Sequence, residues 1–140
     1  MAFAAIVDTS AMVALFGREQ PANEHYAGLF EQAASEQWIL ATTWPCVVET
    51  SHLLGVPQRY AFLRWIGANS VSVYPFEQGS LDGMTNLMRR YTEAPRTQMD
   101  LADASLVMLA ADVDVVRIMT LDVRDFSRYR LPDGRAFEIL

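Results

Sequence analysis

The chain has 140 residues, 51% of them hydrophobic and 20% charged, with a formal net charge of −6. That balance excludes a disordered tail, no apolar run reaches bilayer length, and a single cysteine, Cys46, excludes a disulfide framework or a Cys-rich zinc site. All eleven basic residues are arginine, which excludes Schiff-base, P-loop and general-base lysines and leaves arginine's planar fork for phosphates and carboxylates.

Taken in order, "FAAIV" (3–7) reads as a buried strand ended by Asp8. "TSAMVALFG" predicts a helix capped by Thr9 or Ser10 and stopped at Gly17. No basic region precedes the strand and Asp8 interrupts the apolar stretch, so this start is not read as a signal peptide. Pro21 opens a second helix through "ANEHYAGLFEQAASEQ", and "WILATT" is the next strand. "WPCVVETSHLLG" and "PQRYAFLRWIGAN" read as helices, "SVSVYPF" as a third strand, and "GSLDGMTNLMRRYTE" as a helix ending before Pro95. "MDLADASLVMLAA" (99–111) is the most apolar helix, "VDVVRIMTL" a strand running into Asp122, and "AFEIL" a last, edge strand. Alternating strands and helices predict one α/β domain over residues 1–140, a three-layer α/β/α sandwich on a mostly parallel sheet. Ligands bind such sheets beyond the carboxyl ends of the strands, where Asp8 and Asp122 both sit.

Four segments set carboxylates in apolar surroundings: Asp8, Glu49, the pair Asp100 and Asp103, and the pair Asp122 and Asp125. Each alone has an ordinary reading. Asp8, Asp100 and Asp125 suit helix caps, Asp122 suits a turn, and Glu49 suits a solvated helix face. Asp103 fits least, since it lies past the cap among Leu101, Ala102, Ala104 and Leu106. Converging carboxylates repel one another and need a cation to stay ionised. No histidine falls in these segments beyond His52, one turn after Glu49, and His25 lies in a surface-like helix. An all-oxygen donor set selects Mg²⁺, with Mn²⁺ able to substitute. Cys46 has no adjacent base and reads as a buried structural thiol, consistent with a reducing, cytoplasmic setting.

"IVDTSAMVAL", "VVETSHLL", "MDLADASLVMLAA" and "TLDVRDFSRYR" together resemble the acidic blocks of PIN-domain ribonucleases, most closely the VapC-type toxins of bacterial toxin–antitoxin pairs. The resemblance implies a Mg²⁺- or Mn²⁺-dependent endoribonuclease. Asp8, Glu49, Asp103 and Asp122 match the core catalytic positions, with Asp8, Asp103 and Asp122 as metal ligands and Asp100 and Asp125 as further candidates. Thr9, Ser10 and Thr120 match hydroxyl residues that line such sites. It also implies an RNA substrate, a cognate antitoxin protein whose tail can place an arginine in the acidic pocket, and a homodimer, with no membrane association.

The net acidity leaves Arg124, Arg128 and Arg130 as the first candidates for RNA phosphates, with Phe126 and Tyr129 between them to stack on a base. "MRRYTEAPR" is a second, weaker basic stretch. Two rival functions stand beside this one. A receiver-type phosphoacceptor domain is also α/β with an acidic Mg²⁺ pocket, but it wants adjacent acids after the first strand and a late lysine. A non-catalytic PIN-like binding module would act through protein contacts alone. "AMVALF" and the Trp44 and Trp65 segments are candidates for a dimer or antitoxin surface, though such segments are more often core.

Overall fold

Strand β1 (Ala5–Val7) is wholly buried, as expected of a strand covered on both faces. It lies at the centre of a five-stranded sheet of order β3-β2-β1-β4-β5, with β2 (Leu40–Thr43), β3 (Ser72–Tyr74), β4 (Arg117–Met119) and β5 (Glu138–Ile139). Every pairing is parallel, with Ile6 opposite Ala41 on one side and Ile118 on the other. These elements come from a computed structural model that describes residues 2–17, 19–93 and 95–140. The seven α-helices among them are α1 (Thr9–Phe16), α2 (Asn23–Ser35), α3 (Trp44–Leu53), α4 (Val56–Gly67), α5 (Leu81–Arg90), α6 (Leu101–Val113) and α7 (Val123–Arg128). Parallel crossovers are right-handed. The run β1–β2–β3 therefore sets α1 to α4 on one face, and the return to β4 sets α5 and α6 on the other. The result is the expected α/β/α sandwich. None of the helices is long and apolar enough to cross a membrane.

The strand order also removes one rival. Receiver domains share the doubly wound order 2-1-3-4-5, in which the first strand does not lie between the second and fourth. Here β1 pairs with both β2 and β4, so the chain is not built as a receiver. The reversal of strand order falls between β1 and β4, and it opens a crevice beyond Val7 and Met119.

Local details differ from the sequence expectation for identifiable reasons. Of the caps the sequence offers for α1, Asp8 is the one used and not Thr9 or Ser10, its carboxylate accepting from the Thr9 amide at 2.7 Å. Asp122, not Asp125, caps α7. Helix α2 begins at Asn23, whose side-chain amide donates to the carbonyls of Ala14 and Leu15 and so closes the end of α1. Gly17 is needed for space, because a Cβ there would lie 2.8 Å from the Val13 carbonyl oxygen. The strands are shorter than their apolar runs. Gln37, at φ 57°, turns the chain before β2, and Trp38 instead lies under the Arg117 guanidinium, 4.7 Å from its ring centroid. Helix α6 runs two residues past 111 and ends on Asp114 in the left-handed conformation (φ 58°), a geometry that Asp tolerates better than most residues.

The core holds Ile6, Met12, Leu106, Leu109, Ile118, Met119, Phe126 and Tyr129, all fully buried. Seven buried residues of α6 make it nearly apolar all round. Buried hydroxyls are paired: Thr42 donates to the Val7 carbonyl, and Thr43 bonds Ser105, which donates to the Ala102 carbonyl. Of the expected partner surfaces, Ala11, Met12 and Ala14 of "AMVALF" are core. Trp65 sits in an aromatic cluster with Phe16, Phe30 and Phe62. Trp44 is 55% exposed. Cys46 is buried, and burial pushes its thiol up to about 12, which makes it the inert structural thiol expected.

Candidate metal centre in an acidic cavity

A cavity of about 440 Å³ opens at the crevice and gathers Asp8, Glu49, Asp100, Asp103, Asp122 and Asp125 in its lining. Strand ends supply Asp8 and, through Thr120, the turn to Asp122; the first turn of α6 supplies Asp100 and Asp103; α3 supplies Glu49. Thr9 and Ser10 also line it, whereas Thr120 is buried behind Asp8. Among the described residues the lining contains no basic side chain.

Asp8 is held by donors. Oδ1 accepts from the Thr9 amide at 2.7 Å, and Oδ2 accepts from the hydroxyls of Thr120 at 2.7 Å and Ser10 at 3.0 Å. The same two hydroxyls accept from the amides of Asp122 and Leu121, so Thr120 and Ser10 tie the end of β1 to the turn after β4. Oδ1 keeps a lone pair free for a ligand. Burial nevertheless raises the Asp8 carboxyl to about 6 against these hydrogen bonds, with the Glu49 charge adding a small push.

Asp103 is held differently. Its amide caps onto Asp100 at 2.8 Å, and its carboxylate accepts one hydrogen bond, from the Tyr129 hydroxyl at 2.8 Å. Burial first, then the charge of Asp100, with lesser pushes from Asp8 and Asp122, drives it to about 8 despite the Tyr129 bond. Burial also raises Asp122, with Asp125 beside it adding charge repulsion. Asp103, Asp122 and Asp125 each offer a carboxylate oxygen within 4.8 Å of the others. Asp8 lines the same cavity outside that trio, and Asp125, a further ligand candidate in the sequence, is inside it. Asp125 is also 3.4 Å from the Arg128 guanidinium.

A divalent cation fits this arrangement. Three carboxyls are pushed toward their neutral forms by burial and by each other, the donors are all oxygen, and the cavity lining has no positive side chain to balance them.

The basic residues past Asp122 fall out differently from the sequence expectation. Arg128 is half-buried, donates to the Tyr91 carbonyl at 3.0 Å and lies over the Tyr129 ring. Arg130 donates to the carbonyls of Ser127 and Tyr129. Arg124 alone of the three is exposed without such bonds among the described residues. Phe126 and Tyr129 are fully buried, which corrects the expectation that they stack on a base. Phe126 and the C-cap residue Tyr129 lie three apart, about one turn, so both face inward and fill the core. What the sequence missed is Tyr129 as the donor to Asp103, 26 positions away, and Gln20 and Gln98 in the cavity wall. No local spacing signals those contacts.

Residues 5–131 match the sequence profile of the PIN domain. The chain belongs to the PIN-domain family. Among solved structures, this PIN domain is similar to Mycobacterium tuberculosis VapC20, described as a sarcin–ricin loop cleaving toxin. The TM-score is 0.71 at 14% identity, over 86% of this chain and 91% of that one. PAE2754 from Pyrobaculum aerophilum is similar with a TM-score of 0.53 at 20% identity, over 87% of this chain and 83% of that one. At these identities the likeness is one of fold. Comparison with curated proteins finds no match.

Proposed function

We propose that the chain is a metal-dependent endoribonuclease acting as the toxin of a toxin–antitoxin pair. One observation carries the reading: a PIN-domain crevice that gathers six carboxylates, at least three with raised proton affinity, and no basic side chain among the described lining residues. The likeness in fold to a toxin that cleaves RNA supports it.

Asp8, Asp103 and Asp122 would hold Mg²⁺, or Mn²⁺ in its place, with Asp100 and Asp125 as auxiliary acids. When bound, such an ion lowers the pKa of a water and offsets charge on a phosphate under attack. Asp8 contributes a fixed acceptor, because Thr9, Ser10 and Thr120 leave it one orientation. Tyr129 orients Asp103 from below. Glu49, half-buried in the same lining, would orient the attacking water by accepting a hydrogen bond from it. In-line attack by water leaves a 5′-phosphate and a 3′-hydroxyl. The exposed apolar residues Val48, Leu53, Val56, Tyr60 and Leu63 on and between α3 and α4 suit contact with an antitoxin or a second copy of the chain, in a cytoplasmic setting.

The test is cleavage of structured RNA by the purified chain with Mn²⁺, followed by mapping of the ends. Cutting that survives EDTA, or that is equal in Asp8→Ala, would overturn the metal-dependent reading. Normal folding with no Mn²⁺ binding by calorimetry would favour the non-catalytic module.

A further inference from the structure

Beside the acidic cavity lies a second one, about 570 Å³, lined by Thr85, Met88, Arg89, Thr92, Gln98 and Met99. Gln98 lines both, so the two adjoin at that side chain. The second cavity runs between the C-terminal half of α5 and the segment that leads into α6. We propose that it is a nucleotide subsite that holds the RNA strand next to the scissile phosphate; this rests on the ribonuclease reading above.

The functional groups divide as a ribonucleotide requires. Arg89 is exposed and makes no hydrogen bond or ion pair among the described residues, so its fork is free for a phosphate. Thr92 accepts from the Met99 amide at 3.1 Å, which leaves its hydroxyl proton for the same phosphate. Thr85 is the reverse. Its hydroxyl donates to the Leu81 carbonyl at 2.8 Å, so it can only accept, as a ribose 2′-hydroxyl needs. Met88 and Met99 form an apolar wall for a sugar or base face, and the Gln98 amide offers a donor and an acceptor at the junction.

Among the described residues, the other flank of the acidic cavity has no such set. There a cavity of about 420 Å³, sharing Val13, Gln20 and Leu53 with it, is lined by Glu19 and no basic side chain among the described residues. In a chain of net charge −6, RNA cannot be drawn in by the whole surface. A local cation beside the carboxylates is required. Arg128 and Arg130 are already engaged with backbone carbonyls, and Arg124, exposed on α7, lines neither cavity, whereas Arg89 lines the second.

The experiment measures cleavage of a single-stranded RNA oligonucleotide with Mn²⁺ across a salt series, for the wild type, Arg89→Glu, Arg89→Lys and Arg64→Glu. Arg64 is exposed on α4, so its substitution makes the same change in net charge elsewhere. Arg89→Glu is expected to raise KM about tenfold with kcat little changed, and to reduce the log–log salt slope by about one. Arg89→Lys is expected to recover most of the affinity, Arg64→Glu to match the wild type, and Mn²⁺ affinity by calorimetry to be equal in all four. An Arg89→Glu KM and salt slope equal to wild type, with RNA still cut, overturns the subsite and leaves the ribonuclease reading standing. So does an equal loss in Arg64→Glu. If the wild type binds no RNA and cuts none, the ribonuclease reading fails and the subsite falls with it.

Discussion

Asp8 and Asp103 face the same cavity but are stabilised in opposite ways. Asp8 is the more buried, yet three donors meet its carboxylate and its proton affinity rises only to about 6. Asp103 is less buried, has one donor and three charged neighbours, and rises to about 8. Hydrogen bonds to the charged form offset burial, whereas neighbouring anions compound it. The first wall is a finished piece of structure, and the second is incomplete without a cation.

The largest effect expected from this contrast is at Asp103. Asp103→Asn should reduce cleavage by roughly 1,000-fold and weaken Mn²⁺ binding strongly, while Asp100→Asn costs far less because Asp100 already serves as a helix cap. Calorimetry on the two variants checks this, and the reverse ranking would exchange the roles assigned to them.

The pH dependence of stability comes next. Asp8 and Asp103 titrate near 3.8 when unfolded and near 6 and 8 when folded, so between those values the folded chain binds more protons. Their contribution is fully present below about pH 3.8 and is lost as pH rises through 6 and then 8. The metal-free melting temperature should therefore fall across that window. Asp103→Asn should flatten the fall and stabilise the metal-free protein at its alkaline end by on the order of 2 kcal/mol. Saturating Mn²⁺ should also remove the slope in the wild type. A melting temperature that rises with pH in EDTA would show that the carboxyls are not raised.

Thr120→Val attacks the finished wall. It removes a donor from buried Asp8 and the acceptor of the Asp122 amide, for an expected loss of about 1–3 kcal/mol in denaturant titration. The smallest effect is expected from Tyr129→Phe. It leaves packing unchanged and strips Asp103 of its one donor, at a cost of about 1 kcal/mol. Its signature is a shift of Mn²⁺ binding toward higher pH, which a purely structural role would not produce.

Much of this was legible in the chain because the information is local. Strand-then-acid patterns placed Asp8 and Asp122 at strand ends, and the misfit of Asp103 inside an apolar helix marked it as needing a partner. What stayed hidden is set by tertiary packing. Tyr129 resembles a surface aromatic among arginines, but as the C-cap of α7, one turn past Phe126, it lies in the core, where its hydroxyl meets Asp103. The membership of Asp125 in the close trio depends on how the turn after β4 meets α6. Strand lengths were overread because an apolar run continues into buried coil and helix as easily as into a ladder. The left-handed turn at Asp114, which stops α6, has no hydrophobic signature.

The hydrogen bond from Thr120 to Asp8 joins positions 112 apart, and it has a consequence for the order of events during synthesis. β1 cannot be flanked on its second side until β4 exists, and contacts this distant close late and slowly. A nascent chain that has not reached Thr120 therefore has its central strand paired on the β2 side at most, and its cavity lacks Asp122 and Asp125. The acidic cavity is complete only once the turn after β4 has been made.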